Sequence, residues 1–292
     1  MKRLIAFLLL LIMPTFVDAD MVGYSGDKRR YVTEEEKLQF PYNTVVRIVD
    51  NGNPGTGTFV SEDVILTCRH VVDGTDKNGD IEYYTSDGKK HIGKVGPYEN
   101  DDKDYHDVSW IIDEDSFSGP VLEISPEAKY SNNLMIIGYD SLKPLSDDEL
   151  KIVKQVYTNW IKDNGRITSG NAYKAMGEVD TELQILYSCS SDKQTNCVHC
   201  SGEYCIFDDS KNMKVRTGCS VVNVDKMLYT DCPGAPGASG SAIIDKNSNQ
   251  IIGVFCSVLR AQIGQEKRAT SSGVRPDIYY RSLKSWIDGL KQ

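Results

Sequence analysis

Apolar and β-branched residues come in short blocks along most of the chain. VVRIVD (45–50), TGTFVS (56–61), DVILTCRHVV (63–72), DVSWIID (107–113) and LMIIGYD (134–140) lie in the first half. ELQILYS (182–188), VRTGCSVV (215–222), MLYTD (227–231), SAIID (241–245) and IIGVFCSV (251–258) follow in the second. Gly, Asn and Asp punctuate them, so the pattern predicts an all-β barrel or sandwich architecture. Two stretches change to helical period. SDDELKIVKQVYTNWIKDNG (146–165) opens with Ser146 and Glu149 in capping-box spacing and carries Leu150, Val153, Tyr157, Trp160 and Ile161 on one face. The other begins after Pro276-Asp277 and aligns Tyr279, Leu283, Trp286, Ile287 and Leu290. Both stripes read as packing surfaces.

Residues 1–19, MKRLIAFLLLLIMPTFVDA, combine Lys2 and Arg3 with an apolar run from Leu4 to Met13, then Val17 and Ala19 in cleavage-site spacing. The run falls short of the ~20 apolar residues that span a bilayer, so the expectation is a removed secretory peptide and a mature chain starting near Asp20, secreted or periplasmic. The net charge of −9 offers no basic footprint for nucleic acid and no polybasic membrane patch. All eight cysteines (Cys68, Cys189, Cys197, Cys200, Cys205, Cys219, Cys232 and Cys256) follow the leader, which in an exported chain predicts disulfides of undetermined connectivity. CVHCSGEYC has the look of part of a zinc knuckle, but no second well-spaced ligand pair follows.

The stretch PGAPGASGSAII (233–244) packs small and imino residues in front of Ser239 and then turns apolar. Such a turn costs conformational entropy, so it is either a plain hairpin or a backbone shaped to close on something bound. A serine hydroxyl becomes a nucleophile only beside an imidazole that takes its proton and a carboxylate that orients the ring. Of His70, His91, His106 and His199, His70 stands at the end of a strand in ILTCRHVV, where alone it reads equally as a core histidine. Asp107 opens DVSWII, where alone it reads as a turn residue. A carboxylate entering an apolar segment is costly unless paired. His, Asp and Ser in that order are much harder to dismiss than any one of them.

Three blocks then resemble the chymotrypsin-fold serine proteases, and more closely the bacterial branch that includes the glutamyl endopeptidases. GTGTFVSEDVILTCRHVV (55–72) is similar to the strand pair leading to the family histidine. DVSWII (107–112) is similar to the aspartate block, and MLYTDCPGAPGASGSAII (227–244) with IIGVFCS to the serine block. The resemblance implies two six-stranded antiparallel β-barrels with a C-terminal helix; the 132 residues from Asp107 to Ser239 exceed what the plain fold requires, so a helical, Cys-rich insertion in the second barrel is expected as a departure from it. The expected layout is an N-terminal segment 20–43, a first barrel 44–131, a second barrel 132–277 with the insertion at about 146–212, and the helix 278–292. The insertion is a candidate for capping the cleft or docking a partner.

The resemblance makes Ser239 the nucleophile, His70 the general base and Asp107 its orienting partner. The amides of Gly237 and Ser239 become the oxyanion donors, and Pro233, Phe255, Ser257 and Val258 the walls of the substrate pocket. It implies an exported endopeptidase acting on protein or peptide substrates, with no metal, cofactor, nucleic acid or membrane partner. The alternative is a catalytically silent relative used as a binding module or adhesin. Ala238 stands where the chymotrypsin branch has an activating aspartate, so a trypsin-style activation cleavage is not expected. Pro233 replaces the acidic floor that selects Lys or Arg. Phe255 occupies the place of the histidine with which glutamyl endopeptidases bind a substrate carboxylate, which leaves Arg275 as the remaining candidate cation.

Overall fold

The structure is a computed structural model describing residues 27–51, 53–75, 79–96, 106–126, 130–141, 143–164, 187–188, 197–201, 204–207, 209–235, 237–263 and 267–290. The leader 1–19 lies outside these residues, as does Cys189. A short strand β1 (Arg29–Tyr31) comes first, followed by a one-turn helix α1 (Glu34–Lys37) closed by a capping box between Thr33 and Glu36. Six strands then form a closed barrel: β2 (Val45–Asp50), β3 (Asn53–Ser61), β4 (Val64–Thr67), β5 (Asp80–Tyr84), β6 (Lys90–Val95) and β7 (Ser109–Asp113), paired in the order β2-β3-β4-β7-β6-β5. Ile48, Phe59, Ile65, Tyr83 and Ile111 fill it. Strands β5 and β6 alternate buried with wetter positions, the period-2 logic of a barrel wall, whereas β4 and β7 are buried along most of their length.

The expected second six-stranded barrel is not what forms. The remaining main strands make an open eight-stranded half-barrel from β1, β8 (Leu134–Gly138), β12 (Lys214–Cys219), β13 (Val221–Val224), β14 (Leu228–Thr230), β15 (Ser241–Asp245), β16 (Gln250–Ile263) and β17 (Lys267–Val274). Their order is β1-β12-β8-β15-β16-β17-β14-β13, with β1 and β13 at the edges. Two local causes are visible. Gly218, at φ +70, sits at a register shift between Thr217 and Cys219, and one residue beyond Cys219 the block VRTGCSVV breaks into β12, second in the sheet, and β13, its far edge. The edge of β12 is meanwhile taken by β1, Arg29 opposite Arg216 and Tyr31 opposite Lys214, so it does not close on β13.

The region expected as an insertion contains α2 (Asp147–Asn164) and a small sheet, β10-β11-β9, built from β9 (Tyr187–Ser188), β10 (Cys197–Ser201) and β11 (Tyr204–Phe207). The helix start is as the sequence predicts: Glu149 N–H donates to Ser146 Oγ at 3.3 Å, and Ser146 N–H donates to Glu149 Oε2 at 2.8 Å. Leu150 is buried, whereas the side chains of Val153, Tyr157, Trp160 and Ile161, like those of Cys197, Cys200 and Cys205, lie outside the described residues. The C-terminal helix α3 (Pro276–Leu290) buries Tyr279 and Leu283 in the core that includes the closed barrel. It brings Trp286 to 5.7 Å from Trp110, while Leu290 stays exposed. Cys68–Cys256 and Cys219–Cys232 are disulfides. Among the described residues no helix is long and apolar enough to cross a membrane.

Candidate active site

Strand β4 is buried at all four positions, which fixes where its C-terminal end emerges. The chain then makes a 3-10 turn over Arg69–Val71, held by Val71 N–H to Cys68 O at 3.2 Å and Val72 N–H to Arg69 O at 2.9 Å. His70 therefore stands in a turn after the strand, with Val71 and Val72 as buried anchors. Its side chain is 41% exposed, so it is not a core histidine. Strand β7 runs antiparallel to β4 with Ser109 opposite Thr67, and continuing that register backwards puts Asp107 beside the turn. Asp107 Oδ2 lies 2.6 Å from His70 Nδ1, and Oδ1 accepts the His70 backbone N–H at 3.0 Å. One carboxylate thus fixes both the ring and the backbone of the same histidine.

Ser239 is placed by a clasp between the two sheets. Thr56 of β3 donates its N–H to Ser239 O at 2.8 Å and its hydroxyl to Gly237 O at 2.9 Å, while accepting Tyr139 N–H at 2.9 Å. Thr67 Oγ1 donates to Thr56 O at 2.7 Å. The approach is so close that a Cβ on Gly240 would sit 1.8 Å from Thr56 O, and Gly240 has φ +89. Gly237, also at φ +89, lies on the Tyr139–Asp140 backbone, where a Cβ would meet Tyr139 O at 2.5 Å. Glycine at both places is thus a steric requirement as well as a conformational one. Ala238 N–H is bonded to Ala235 O at 3.0 Å.

The Cys68–Cys256 disulfide has the Ser239 loop on one side and the Asp107 backbone on the other. The Ser239 hydroxyl donates to Cys256 O at 3.5 Å rather than to His70. Gly240 N–H donates to Cys68 Sγ at 3.0 Å, and Cys256 Sγ touches Asp107 O at 2.9 Å. Of the residues expected to wall a substrate pocket, Pro233 is buried with its carbonyl accepting from Arg216 Nε, and Phe255 is shut into the half-barrel core with the Arg216 guanidinium 5.9 Å above its ring. Ser257 Oγ shares a hydrogen bond with Ser272 Oγ at 2.7 Å, and the Val258 side chain lies outside the described residues. Arg275 binds Asp277 at 2.7 Å and donates to Asp225 O.

Sequence reasoning missed a buried ion cluster behind the Ser239 loop. Asp140 receives Arg216 and, at 3.3 Å, Arg29, with Lys214 Nζ at 3.5 Å; all four side chains are sealed from solvent. Asp27 binds Arg29 at 2.8 Å and Asp209 binds Lys214 at 2.9 Å, so three cations face three carboxylates. Burial pushes the Asp140 carboxyl up, but Arg216, Arg29 and Lys214 outweigh it and hold it below the usual carboxylate range. Burial lowers the pKa of both Lys214 and Arg216 against the pull of Asp140. The available signal was Lys214 and Arg216 at alternate positions of KVRTGC, facing the same side of a strand.

Among the described residues two groups have metal-like spacing. Cys68, His70 and Asp107 form one, but Cys68 is in a disulfide and offers no thiolate. His91, Asp113 and Asp115 form the other, in which His91 Nδ1 is already bonded to Asp115 Oδ2 at 3.2 Å.

A closed barrel and an open half-barrel, with a histidine–aspartate pair on one and a glycine-flanked serine on the other, define a trypsin-like architecture. The chain belongs to the family of the trypsin-like peptidase domain, which matches residues 55–254. No curated protein matches it. Among solved structures it is similar to a Glu endopeptidase in complex with MPD, at 14% identity and a TM-score of 0.50, covering 91% of this chain and 99% of that one. It is also similar to an inactive, serine-to-alanine form of Rv3671c from M. tuberculosis H37Rv, at 15% identity and a TM-score of 0.46, covering 83% of this chain and 86% of that one. At 14% identity the likeness to the Glu endopeptidase is one of fold.

Proposed function

We propose that the chain is an exported serine endopeptidase that hydrolyses peptide bonds through an acyl-enzyme. The observation that carries this reading is the double grip of Asp107 on His70, through Nδ1 and through the backbone amide. A carboxylate on Nδ1 keeps that nitrogen protonated and leaves Nε2 free to accept a proton. The Ser239 hydroxyl turns from Cys256 O onto Nε2, loses its proton to the ring and attacks the peptide carbonyl. The imidazolium then protonates the leaving amine, and water, deprotonated by the same ring, releases the acyl group. The amides of Gly237 and Ser239 receive the developing oxyanion, each donor lowering the barrier by ~3 kcal/mol. None of these steps calls for a metal or cofactor. The sequence blocks support kinship with the bacterial branch that includes the glutamyl endopeptidases, and the leader-like residues 1–19 support export to a secreted or periplasmic location.

The test is labelling of the mature protein by a serine-directed fluorophosphonate. Labelling at Ser239, absent in Ser239→Ala and in folded His70→Ala, is expected. The Ser239 hydroxyl's bond to Cys256 O favours a second reading, a silent module that uses the fold to bind a partner. Wild-type protein that is not labelled at Ser239, or Ser239→Ala labelled equally, would establish that second reading instead.

A further inference from the structure

The sequence Lys28-Arg29-Arg30 lies in an N-terminal segment and looks like an exposed basic run open to trimming. The structure uses each residue differently. Lys28 pairs with Asp231 at 2.9 Å and Arg30 with Glu36 at the surface. Arg29 is fully buried: its guanidinium forks onto both oxygens of Asp27, reaches Asp140 Oδ2 at 3.3 Å and donates to Lys143 O at 2.8 Å. Asp27 in turn accepts Leu145 N–H at 2.8 Å, so the arm is stitched to the segment that follows β8. The backbone pairing of β1 with β12 holds the arm in place.

Burying ion pairs is a poor route to stability, because well-packed apolar residues often do as well or better; in some proteins such clusters instead fix one arrangement. The arrangement fixed here is the floor of the Ser239 loop. Asp140 is the meeting point. Its carboxylate takes Arg29 from the arm and Arg216 from β12, and Arg216 Nε donates onward to Pro233 O at the start of the loop. Its backbone lies directly under Gly237, with Asp140 Cα 3.3 Å from where a Gly237 Cβ would be. The N-terminal arm, the Asp140 carboxylate and both ends of the 233–237 segment are therefore one connected unit.

Building on the endopeptidase reading, we propose that Arg29 is a positioning residue for catalysis: its docking on Asp140 sets the Gly237 amide for the oxyanion. The arm is then a permanent part of the active apparatus, and cleavage within Lys28–Arg30 inactivates the protein. Replacing Arg29 leaves Asp27 buried without its cation and Asp140 with two partners instead of three, which loosens the floor beneath Gly237.

Full-length Arg29→Met, Arg29→Lys and, as a surface control, Arg30→Gln separate this role from simple stabilisation. Folding is followed by circular dichroism, and amide hydrogen exchange is read over residues 233–240. In folded Arg29→Met, exchange in that segment rises at least tenfold, fluorophosphonate labelling and kcat fall at least tenfold, and KM stays within about twofold. Arg29→Lys, which keeps the charge without the fork, shows a smaller loss in the same quantities, and it carries the test if Arg29→Met does not fold. Arg30→Gln matches wild type. Folded Arg29 variants with wild-type exchange over 233–240 and wild-type labelling overturn the proposal. A wild type that is not labelled at Ser239 overturns the endopeptidase reading instead, and the exchange measurement then still decides whether Arg29 fixes the loop.

Discussion

Cys68 and Cys256 bond the closed barrel to the half-barrel, with Cα atoms 5.7 Å apart and 188 residues between them. Cys68 is two residues before His70. Cys256 accepts the Ser239 hydroxyl on its carbonyl and touches Asp107 O with its sulfur. A cross-link closing so long a loop removes denatured-state entropy of about 4–5 kcal/mol. The double variant Cys68→Ala/Cys256→Ala is expected to lose stability on that scale in urea unfolding, and to lose Ser239 labelling even where it remains folded. A change below about 1 kcal/mol with labelling intact would show that the bridge is incidental to both.

The glycines of the serine loop give a graded prediction. Gly240→Ala places a Cβ 1.8 Å from backbone oxygen at φ +89 and should cost more than about 3 kcal/mol. Gly218, at φ +70, has open space within 4 Å of where a Cβ would stand, so Gly218→Ala should cost only the left-handed backbone penalty of about 1–2 kcal/mol. Gly237→Ala, pushed off Tyr139 O, should remain folded yet lower kcat by about a hundredfold through the lost oxyanion donor. Equal stability of the Gly240 and Gly218 variants would contradict the close approach of Thr56.

The parts of this fold that were legible in the sequence are those whose signal is local. Strand β2 coincides with the block VVRIVD, and the capping box of α2 with Ser146 and Glu149. Strands β5 and β6 escaped because DIEYY and KHIGKV alternate polar with apolar residues on a half-wet barrel wall, leaving no apolar run to notice. Strand β1 escaped because RRY is basic, and its membership depends on a partner edge far along the chain. The same distinction holds at the site. His70, Asp107 and Ser239 stand in recognisable blocks. Thr56 acts through partners 83 and 181 residues away, and Asp140 through Arg29 and Arg216 at 111 and 76, so no local pattern announces either.

The buried cluster predicts an acid limb in stability. The Asp140 carboxyl is held below its ordinary value in the folded chain, so its contribution is fully present above the unfolded value of about 3.9 and is lost as pH falls through the folded one. Asp140→Asn removes one partner of a buried ion group and should cost about 3–5 kcal/mol at neutral pH. Urea unfolding of wild type and variant should therefore diverge most at neutral pH and converge below about pH 4. A gap that stays constant from about pH 7 down to about pH 3 would mean that Asp140 is not the group whose charge is linked to folding.

On the endopeptidase reading, specificity at the residue before the scissile bond follows from what the expected pocket walls offer. The segment Pro233–Pro236 carries no ionisable side chain, and Phe255 on β16 is committed to the half-barrel core. Ser257 is engaged with Ser272, which leaves hydroxyls and backbone as polar partners there. A Lys or Arg side chain buried among these groups meets no carboxylate and loses several kcal/mol of hydration. A glutamate meets no histidine, and Arg275, the remaining candidate cation, is held by Asp277 at 2.7 Å and by Asp225 O. The expected preference is for small or apolar uncharged side chains. A peptide library varied at that one position measures it, with Arg275→Ala run alongside. The variant should keep the wild-type preference, because a surface pair such as Arg275–Asp277 contributes at most about 1 kcal/mol to stability and nothing to the pocket. A glutamate preference that disappears in Arg275→Ala would move Arg275 into the substrate site, and a preference for Lys or Arg would mean that the pocket is walled by other residues than these.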